Sequence, residues 1–355
     1  MKTGRNERLL NTMGSMVDSL FLAIPNFLAA MKPMRKIDRD AYEQQLDYYI
    51  DNGYADNPES FFTFPSKTPS YFIIDRKPYH DGESQLIAYE SGYTAKNPHV
   101  RDRYHSYAAN RTGYLVRWTH GEKNRKTVLC HHGYMLGEPR QARKMFRVKN
   151  LFNRGPDVAL FIAPFHWKRG TGLMRQRGIY LQNDDVVMTC ECVGQAMHDL
   201  FNSFRILREL GSSETGLIGA SLGGYNAALF AGLTDIPSFA AMMVPAINFS
   251  GSLDPDRARL PFPVDESLRR KIRRVWELHS PLNFSPKISK EKILIVASRG
   301  DLLCPFEYVQ SLCKKWKIPN SRFLTGGHWL IFNGSERGRA WYNFLIGMGF
   351  LHQTD

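Results

Sequence analysis

Short apolar runs alternate with segments of helical periodicity from about residue 126 onward. The runs cover residues 127–130, 158–163, 216–219, 239–244 and 293–297. Strands that are buried on both faces read in this way, because helices cover both faces of a parallel sheet. Between the second and third runs, residues 186–210 carry apolar side chains at helical spacing: Val193, Met197, Leu200, Phe204 and Leu207. The pattern predicts an α/β fold with a mostly parallel sheet.

The preceding part of the chain has a different pattern. Residues 38–51 have helical spacing, and turn residues follow them. Residues 71–74, 85–89, 103–107 and 112–118 alternate between apolar and polar positions and are separated by turns. This alternation is typical of antiparallel strands with one solvated face, so we expect four such strands at one edge of the sheet.

The first 30 residues contain an apolar stripe that recurs every three and four positions. Its members are Leu9, Leu10, Met13, Met16, Val17, Leu20, Phe21, Ile24, Phe27 and Leu28. The spacing predicts an amphipathic helix that either packs on the domain or lies in a membrane interface, where Lys2, Arg5 and Arg8 would help. The run at 20–31 is interrupted by Pro25 and Asn26 and is too short to span a bilayer. It also has no convincing signal-peptide cleavage site.

A second amphipathic helix is predicted where the alternation pauses, between residues 248 and 292. Val264, Leu268, Ile272 and Trp276 form its apolar stripe, and five basic residues lie away from that stripe: Arg269, Arg270, Lys271, Arg273 and Arg274. Such a helix is either a solvated cap or a surface that meets an anionic lipid or substrate.

The composition narrows the class of protein. The chain has 355 residues, 43% of them hydrophobic, which is enough for a folded core. Its net charge of +13 favours anionic partners, but no recognised nucleic-acid motif accompanies the charge, so we expect none of that class. Five cysteines without paired spacing argue against a disulfide framework or a metal site, and we expect reduced thiols and a cytoplasmic protein, with membrane association left open.

The most informative stretch is Gly219-Ala-Ser221-Leu-Gly223, between an apolar strand and a helix with small and apolar residues at helical spacing. A nucleophilic serine needs such a tight turn, because it must project from the backbone into the site. Its neighbours two positions away approach other backbone closely, so a Cβ there would clash. We therefore predict Ser221 as a nucleophile, with the amides of the following helix directed at the site of reaction.

Two partners for Ser221 follow later strands. Asp301 comes just after the run at 293–297, and His328 follows a further strand and a glycine-rich turn. The order serine, acid, histidine is that of a triad in which the imidazole takes the serine proton and the carboxylate orients the imidazole. The N–H groups of Tyr134 and Leu222 are the predicted oxyanion donors. His166, Trp167 and Arg169, after the run at 158–163, are predicted to lie near the pocket and to contact substrate, although a structural ion pair of Arg169 is an open alternative.

These features together resemble the α/β-hydrolase superfamily. The resemblance rests on His132-Gly133-Tyr134, Gly219-Ala-Ser221-Leu-Gly223, Gly300-Asp301 and Gly327-His328, and covers about residues 70–350. It implies an eight-stranded, mostly parallel sheet and a cap inserted before the strand that leads to the acid, which matches residues 248–292. We therefore expect a helical extension over residues 1–70 and a hydrolase domain over 71–355.

The expected activity is hydrolysis of a carboxylic ester or thioester through an acyl-serine, without a metal or an organic cofactor. The substrate would be a small-molecule or lipid ester, and a peripheral membrane contact through the N-terminal amphipathic helix is left open. Two alternatives stay open at this point: an acyltransferase that uses the same triad, and a hydrolase-fold protein that only binds.

Overall fold

The structure is a computed structural model that describes residues 5–31, 36–170, 185–248, 259–332 and 334–353, and the side chains of 5 and 21–31 are not described. Within these residues, nine strands form one sheet: β1 Tyr71–Tyr79, β2 Gly82–Glu90, β3 Thr112–Thr119, β4 Arg125–His131, β5 Asp157–Ile162, β6 Ser212–Ala220, β7 Ala240–Met243, β8 Ile293–Ser298 and β9 Asn320–Leu324.

The order of the strands is β1-β2-β3-β5-β4-β6-β7-β8-β9. The six strands from β4 to β9 are parallel to one another, whereas β1, β2 and β3 pair antiparallel and β3 is antiparallel to β5. This confirms the mostly parallel sheet with an antiparallel edge. Because β5 and β6 lie on either side of β4, the chain reverses its direction along the sheet there, and ligands of open α/β sheets bind outside the carboxyl ends at such a point.

Ten α-helices flank the sheet in the described residues: α1 Arg5–Met31, α2 Arg39–Asp51, α3 Pro98–His105, α4 Pro139–Met145, α5 Val148–Phe152, α6 Val186–Glu209, α7 Leu222–Leu233, α8 Glu266–Glu277, α9 Phe306–Trp316 and α10 Gly334–Gly347. Aspartates cap several of them. Asp38 accepts a hydrogen bond from the N–H of Ala41 at the start of α2, and Asp265 accepts one from Leu268 at the start of α8. Such caps satisfy amide groups that have no partner within the helix.

The core has two layers, one on each face of the sheet. Leu129 of β4 packs into the layer formed with α2, α6, α7, α8 and α9, whereas its neighbours Val128 and Cys130 pack into the layer formed with α4, α5 and α10. Successive side chains of a strand point to opposite faces, and helices cover both faces here, so every residue of β5 and β8 is buried. This is the physical basis of the continuous apolar runs.

Two sequence predictions about the sheet were wrong. Residues 103–107 are not a strand, since most of them lie in α3. Asn97 caps this helix by accepting from the N–H of His99 (3.1 Å), Pro98 begins it, and Val100 and Tyr104 are its buried residues. The implied eight strands are nine, because only two residues separate β1 from β2 and the resulting hairpin extends the antiparallel edge.

The N-terminal 70 residues pack closely on the rest of the chain. Tyr42, Leu46 and Tyr49 of α2 have no exposed surface and belong to the larger layer of the core. Helix α1 is amphipathic, as predicted, but within the described part of its apolar stripe only Leu10 and Val17 are half-buried. Leu9, Met13, Met16 and Leu20 are exposed, while Gly14 and Asp18 on the opposite face are buried. The remaining stripe positions, 21–28, lie outside the described side chains.

The predicted cap helix is α8. Leu268, Ile272 and Trp276 are buried, as the apolar stripe required. On its basic face, Lys271 forms ion pairs with Glu43 (2.9 Å) and Asp47 (2.8 Å) of α2. This part of the basic face therefore meets a neighbouring helix rather than solvent. Part of the predicted insertion, residues 249–258, lies outside the described residues.

Candidate active site

Ser221 occupies the single position between β6 and α7. Its backbone has φ 54° and ψ −113°, a strained conformation for a non-glycine residue. The two glycines of the motif permit the turn: a Cβ on Gly219 would lie 2.0 Å from the carbonyl oxygen of Gly223, and a Cβ on Gly223 would lie 2.0 Å from that of His131. The clash expected from the sequence at these two positions is therefore confirmed.

Asp301 and His328 form a buried pair beyond β8 and β9. The Asp301 Oδ2 lies 2.8 Å from the His328 Nδ1, and both side chains are almost inaccessible to solvent. The other carboxylate oxygen, Oδ1, accepts the N–H groups of Leu303 (2.9 Å) and Cys304 (2.7 Å). These two amides fix the carboxylate, so that Asp301 presents one oxygen to the imidazole and thereby favours the tautomer with the proton on Nδ1.

The Cys304 thiol connects this pair to the serine. Its Sγ lies 3.9 Å from the Ser221 Oγ. A carboxylate oxygen of Asp301, the Cys304 sulfur and a ring nitrogen of His328 all lie within 4.8 Å of one another. The hydroxyl, the imidazole and the carboxylate that the sequence predicted therefore surround one sulfur atom. Sequence reasoning assigned Cys304 no role, because its contact with Ser221 joins residues that are 83 positions apart in the chain.

The electrostatics of the pair follow from burial and contact. Burial by itself lowers the pKa of His328, but the contacts with Cys304 and Asp301 outweigh it, so the pKa is raised above its ordinary value. Burial raises the pKa of the Cys304 thiol, while the neighbouring His328 acts in the opposite direction.

The two predicted oxyanion donors flank Ser221. Leu222 is the first residue of α7, and the loop from His132 to Tyr134 follows β4, where a Cβ on Gly133 would lie 3.5 Å from the Ser221 Cβ. Within the described part of the chain, neither the N–H of Leu222 nor that of Tyr134 donates a hydrogen bond. An oxyanion donor requires such an unengaged N–H group.

Helix α1 supplies a residue that sequence reasoning missed. Asp18 is fully buried, and its carboxylate accepts the N–H groups of Leu302 (3.1 Å), His328 (2.8 and 3.0 Å) and Trp329 (3.2 Å). It therefore holds together the loop after Asp301 and the loop of His328. The helical spacing contains a signal that could have found it, because Asn11, Gly14, Ser15 and Asp18 form a small and polar face opposite the apolar stripe.

The histidines of the two loops after β4 and β5 are structural in their contacts. His132 Nε2 accepts the N–H of Ala163 (3.1 Å), and His166 Nε2 accepts that of Met135 (3.4 Å). Each ring places its Nδ1 against a backbone carbonyl oxygen. Burial lowers the pKa of both rings, to about 4 for His166, so they are neutral and hold the loop that carries Tyr134.

The other two residues predicted to contact substrate are placed differently from each other. Trp167 is partly buried and packs against Tyr114. Arg169 is fully buried, and its Nη2 lies 2.6 Å from the Asp199 Oδ2, which is also fully buried. This is the ion-pair alternative left open by the sequence. The guanidinium pairs with a carboxylate inside the core.

One group of side chains in the described residues has the composition of a metal site: Asp301, Cys304 and His328. Their bonding does not fit a bound ion. Asp301 Oδ2 is already hydrogen-bonded to His328, and Asp301 Oδ1 accepts two backbone N–H groups, so both carboxylate oxygens are engaged within the protein. All five cysteines are free of disulfides and buried.

Comparison with solved structures identifies the architecture. The acetyl xylan esterase 1 of Thermoanaerobacterium sp. JW/SL YS485 superposes with a TM-score of 0.55 at 13% identity, over 84% of this chain and 93% of that one. An acetyl xylan esterase from Paenibacillus sp. R4 superposes with a TM-score of 0.50 at 14% identity, over 89% and 98%. The chain has the α/β-hydrolase fold. At these identities the likeness concerns the fold alone.

Comparison of sequences adds relatives but no activity. No known protein-family model matches the chain. Uncharacterized proteins of two Mycobacterium tuberculosis strains, CDC 1551 / Oshkosh and H37Rv, are each 29% identical over 301 residues, which is 80% of this chain and 68% of theirs. Among the described residues of this α/β-hydrolase-fold chain, no helix combines the length and hydropathy that crossing a bilayer requires.

Proposed function

We propose that this protein is a serine hydrolase that cleaves a carboxylic ester or thioester through an acyl-Ser221 intermediate. The observation that supports the proposal most strongly is the convergence at the carboxyl edge of the sheet. Ser221 lies on a strained turn, and the fixed Asp301–His328 pair approaches it across the Cys304 sulfur. These side chains come from three separate loops, and a structural role for any one of them would not require the other two.

The proposed reaction begins with attack of the Ser221 Oγ on the acyl carbonyl carbon. His328 takes the hydroxyl proton as the C–O bond forms, and Asp301 stabilises the resulting imidazolium through Nδ1. The N–H groups of Leu222 and Tyr134 then donate to the tetrahedral oxyanion. Collapse of the intermediate expels the alcohol or thiol, which receives the proton from His328. Water attacks the acyl-serine in the second half, with His328 again acting as the base, and releases the acid.

Cys304 is a competing nucleophile, because it contacts the same imidazole. Three observations favour the serine. Burial raises the pKa of the thiol, Ser221 alone is next to the first amide of α7, and the Gly133 loop approaches the Ser221 Cβ. Nucleophiles are effective where oxyanion donors surround the carbon they attack. We therefore assign the acyl group to Ser221 and treat Cys304 as a neighbour that fills the space between serine and histidine.

The test is covalent labelling with a fluorophosphonate probe, followed by turnover of p-nitrophenyl esters of increasing chain length. We expect labelling of the wild type and of Cys304→Ala, and none of Ser221→Ala. Labelling that survives Ser221→Ala but is lost in Cys304→Ala would assign the nucleophile to the thiol instead. If the folded wild type is not labelled and turns over no ester, the hydrolase proposal fails. Product analysis with an added alcohol separates hydrolysis from acyl transfer.

A further inference from the structure

Helix α1 has the opposite of the usual orientation for an amphipathic helix. Over residues 6–20, the face turned to the protein carries Asn11, Gly14, Ser15 and Asp18, and the face turned to solvent carries large apolar side chains. Leu9, Met13, Met16 and Leu20 are exposed by 62, 43, 63 and 72%. A helix at the surface of a soluble domain normally buries such a stripe, because exposing it forfeits the free energy of burial.

The contacts of the inner face fix this orientation. A Cβ on Gly14 would lie 2.1 Å from the backbone nitrogen of Gly327, so the helix touches the His328 loop without a side chain between them. Ser15 Oγ donates to the carbonyl oxygen of Gly300 (2.7 Å), and Asn11 Oδ1 accepts the N–H of Gly326 (2.9 Å). Rotating the helix to bury its apolar stripe would break these bonds together with those of Asp18. The apolar stripe is therefore exposed because of the way in which α1 packs on the rest of the chain.

The loops of the candidate active site that contact α1 also expose apolar side chains. Leu302 and Trp329 are exposed by 42 and 48%, and the backbone N–H of each donates to Asp18, so both residues border α1. They directly follow Asp301 and His328 in the chain. Six exposed apolar side chains thus lie on α1 and on the two loops that it contacts: Leu9, Met13, Met16, Leu20, Leu302 and Trp329. We call this set the outer patch. An apolar patch of this kind marks an interaction site.

We propose that the outer patch docks on an anionic phospholipid bilayer. The stripe has the geometry of an interfacial helix, which lies in the plane of the headgroups with its apolar face in the acyl region. A tryptophan at the rim suits the same interface. The net charge of +13 decides between a bilayer and a second copy of the chain, because like charge opposes self-association and attracts anionic headgroups. The exposed Arg8 lies on the same helix, on which Glu7 and the buried Asp18 are the acidic residues.

Docking in this orientation would face the triad loops toward the membrane. If the proposed ester hydrolysis is correct, its substrate class is then an ester drawn from the bilayer, such as the acyl ester of a phospholipid. Binding itself does not depend on that activity. A vesicle-binding assay can therefore fail while the hydrolase proposal stands, and the reverse also holds.

The experiment is cosedimentation of the full chain with sucrose-loaded vesicles. One vesicle contains phosphatidylcholine alone and the other contains equal parts of phosphatidylcholine and phosphatidylglycerol. The test variants are Met16→Gln/Leu20→Gln and, independently, Leu9→Gln/Met13→Gln. The matched control is Phe72→Gln/Ile74→Gln on β1, where the side chains are exposed by 69 and 53% at the opposite edge of the sheet from β8 and β9. Near-ultraviolet circular dichroism checks the fold of each protein.

The wild type is expected to bind the anionic vesicles at least ~10-fold more strongly than the neutral ones, and each double variant of α1 should weaken that binding at least ~10-fold. The β1 control should stay within ~2-fold of the wild type, because its apolar side chains lie outside the outer patch. Three results would overturn the proposal. They are no binding by the wild type, an equal loss in the β1 control, and a wild-type dimer in sedimentation that Met16→Gln/Leu20→Gln converts to a monomer without any vesicle binding.

Discussion

Asp18→Ala tests whether the N-terminal helix is part of the catalytic machinery. The substitution removes a fully buried carboxylate that accepts the N–H groups of Leu302, His328 and Trp329. Two of these amides directly follow Asp301 and His328 of the proposed triad, and the third is that of His328 itself. Alanine offers no acceptor in place of the carboxylate, so each of these amides loses a hydrogen bond.

The magnitude follows from the number of bonds. A hydrogen bond in a protein contributes about 1 kcal/mol net, and one to a charged group somewhat more, so three partly buried bonds suggest a loss of about 3–4 kcal/mol. Part of this loss appears as lower stability and part as displacement of His328. Displacement of a catalytic group by ~1 Å can cost ~100-fold in rate. We therefore expect kcat for a p-nitrophenyl ester to fall at least ~10-fold, with KM changed less than ~3-fold.

The assay needs a control that separates position from general damage. Ser19→Ala is the matched variant, because Ser19 is exposed on the same helix and its hydroxyl donates to the carbonyl oxygen of Ser15 (2.9 Å) within that helix. It should leave both kcat and the melting temperature unchanged. Asp18→Asn should be intermediate, since its amide oxygen can accept one of the N–H groups while its NH2 group faces the others. A folded Asp18→Ala protein with wild-type kcat would refute the role of Asp18.

Three further predictions concern the titrating and buried groups. Asp301 helps to raise the pKa of His328, and His328 must be neutral to act as a base, so the acid limb of kcat/KM should lie above pH 6.5 in the wild type. Asp301→Asn should move this limb to lower pH and reduce kcat by about 10³–10⁴-fold. A limb that does not move would contradict the assignment. Arg169→Met should lower the free energy of unfolding by about 3–5 kcal/mol, because it leaves the buried Asp199 carboxylate without its ion-pair partner. Lys168→Met, at an exposed neighbouring position, is the control and should not lower it. A stable Arg169→Met protein with a raised KM would instead support substrate binding by Arg169. Burial lowers the pKa of His131, His132, His166 and His279 and keeps them neutral in the folded protein, whereas the unfolded chain takes up their protons below pH ~6.5. The free energy of unfolding should therefore be greatest above that pH and fall by about 1 kcal/mol per residue by pH 5.5. Urea unfolding at pH 7.5, 6.5 and 5.5 measures this change, and a flat profile would exclude the contribution of these histidines.

Local patterns in the sequence predicted the parts of the fold whose physics is local. The continuous runs at 158–163 and 293–297 became β5 and β8, because a strand covered on both faces tolerates only apolar side chains. The glycine spacing around Ser221 predicted the turn, because two close backbone approaches forbid a Cβ. The same reasoning failed at residues 103–107, where alternation suggested a strand but the cap by Asn97 and the first-position Pro98 start a helix.

The sequence by itself determined the α/β architecture and nominated Ser221, Asp301 and His328, since each follows a strand of recognisable pattern. Tertiary structure alone decided what surrounds them. Asp18 meets Leu302 and His328 across 284 and 310 residues of chain, and no local periodicity encodes a contact at that separation. The same holds for the Cys304 sulfur and for the face that α1 presents. A helical stripe predicts that two faces exist, but only the packing of Gly14 on the His328 loop decides which of them meets the protein.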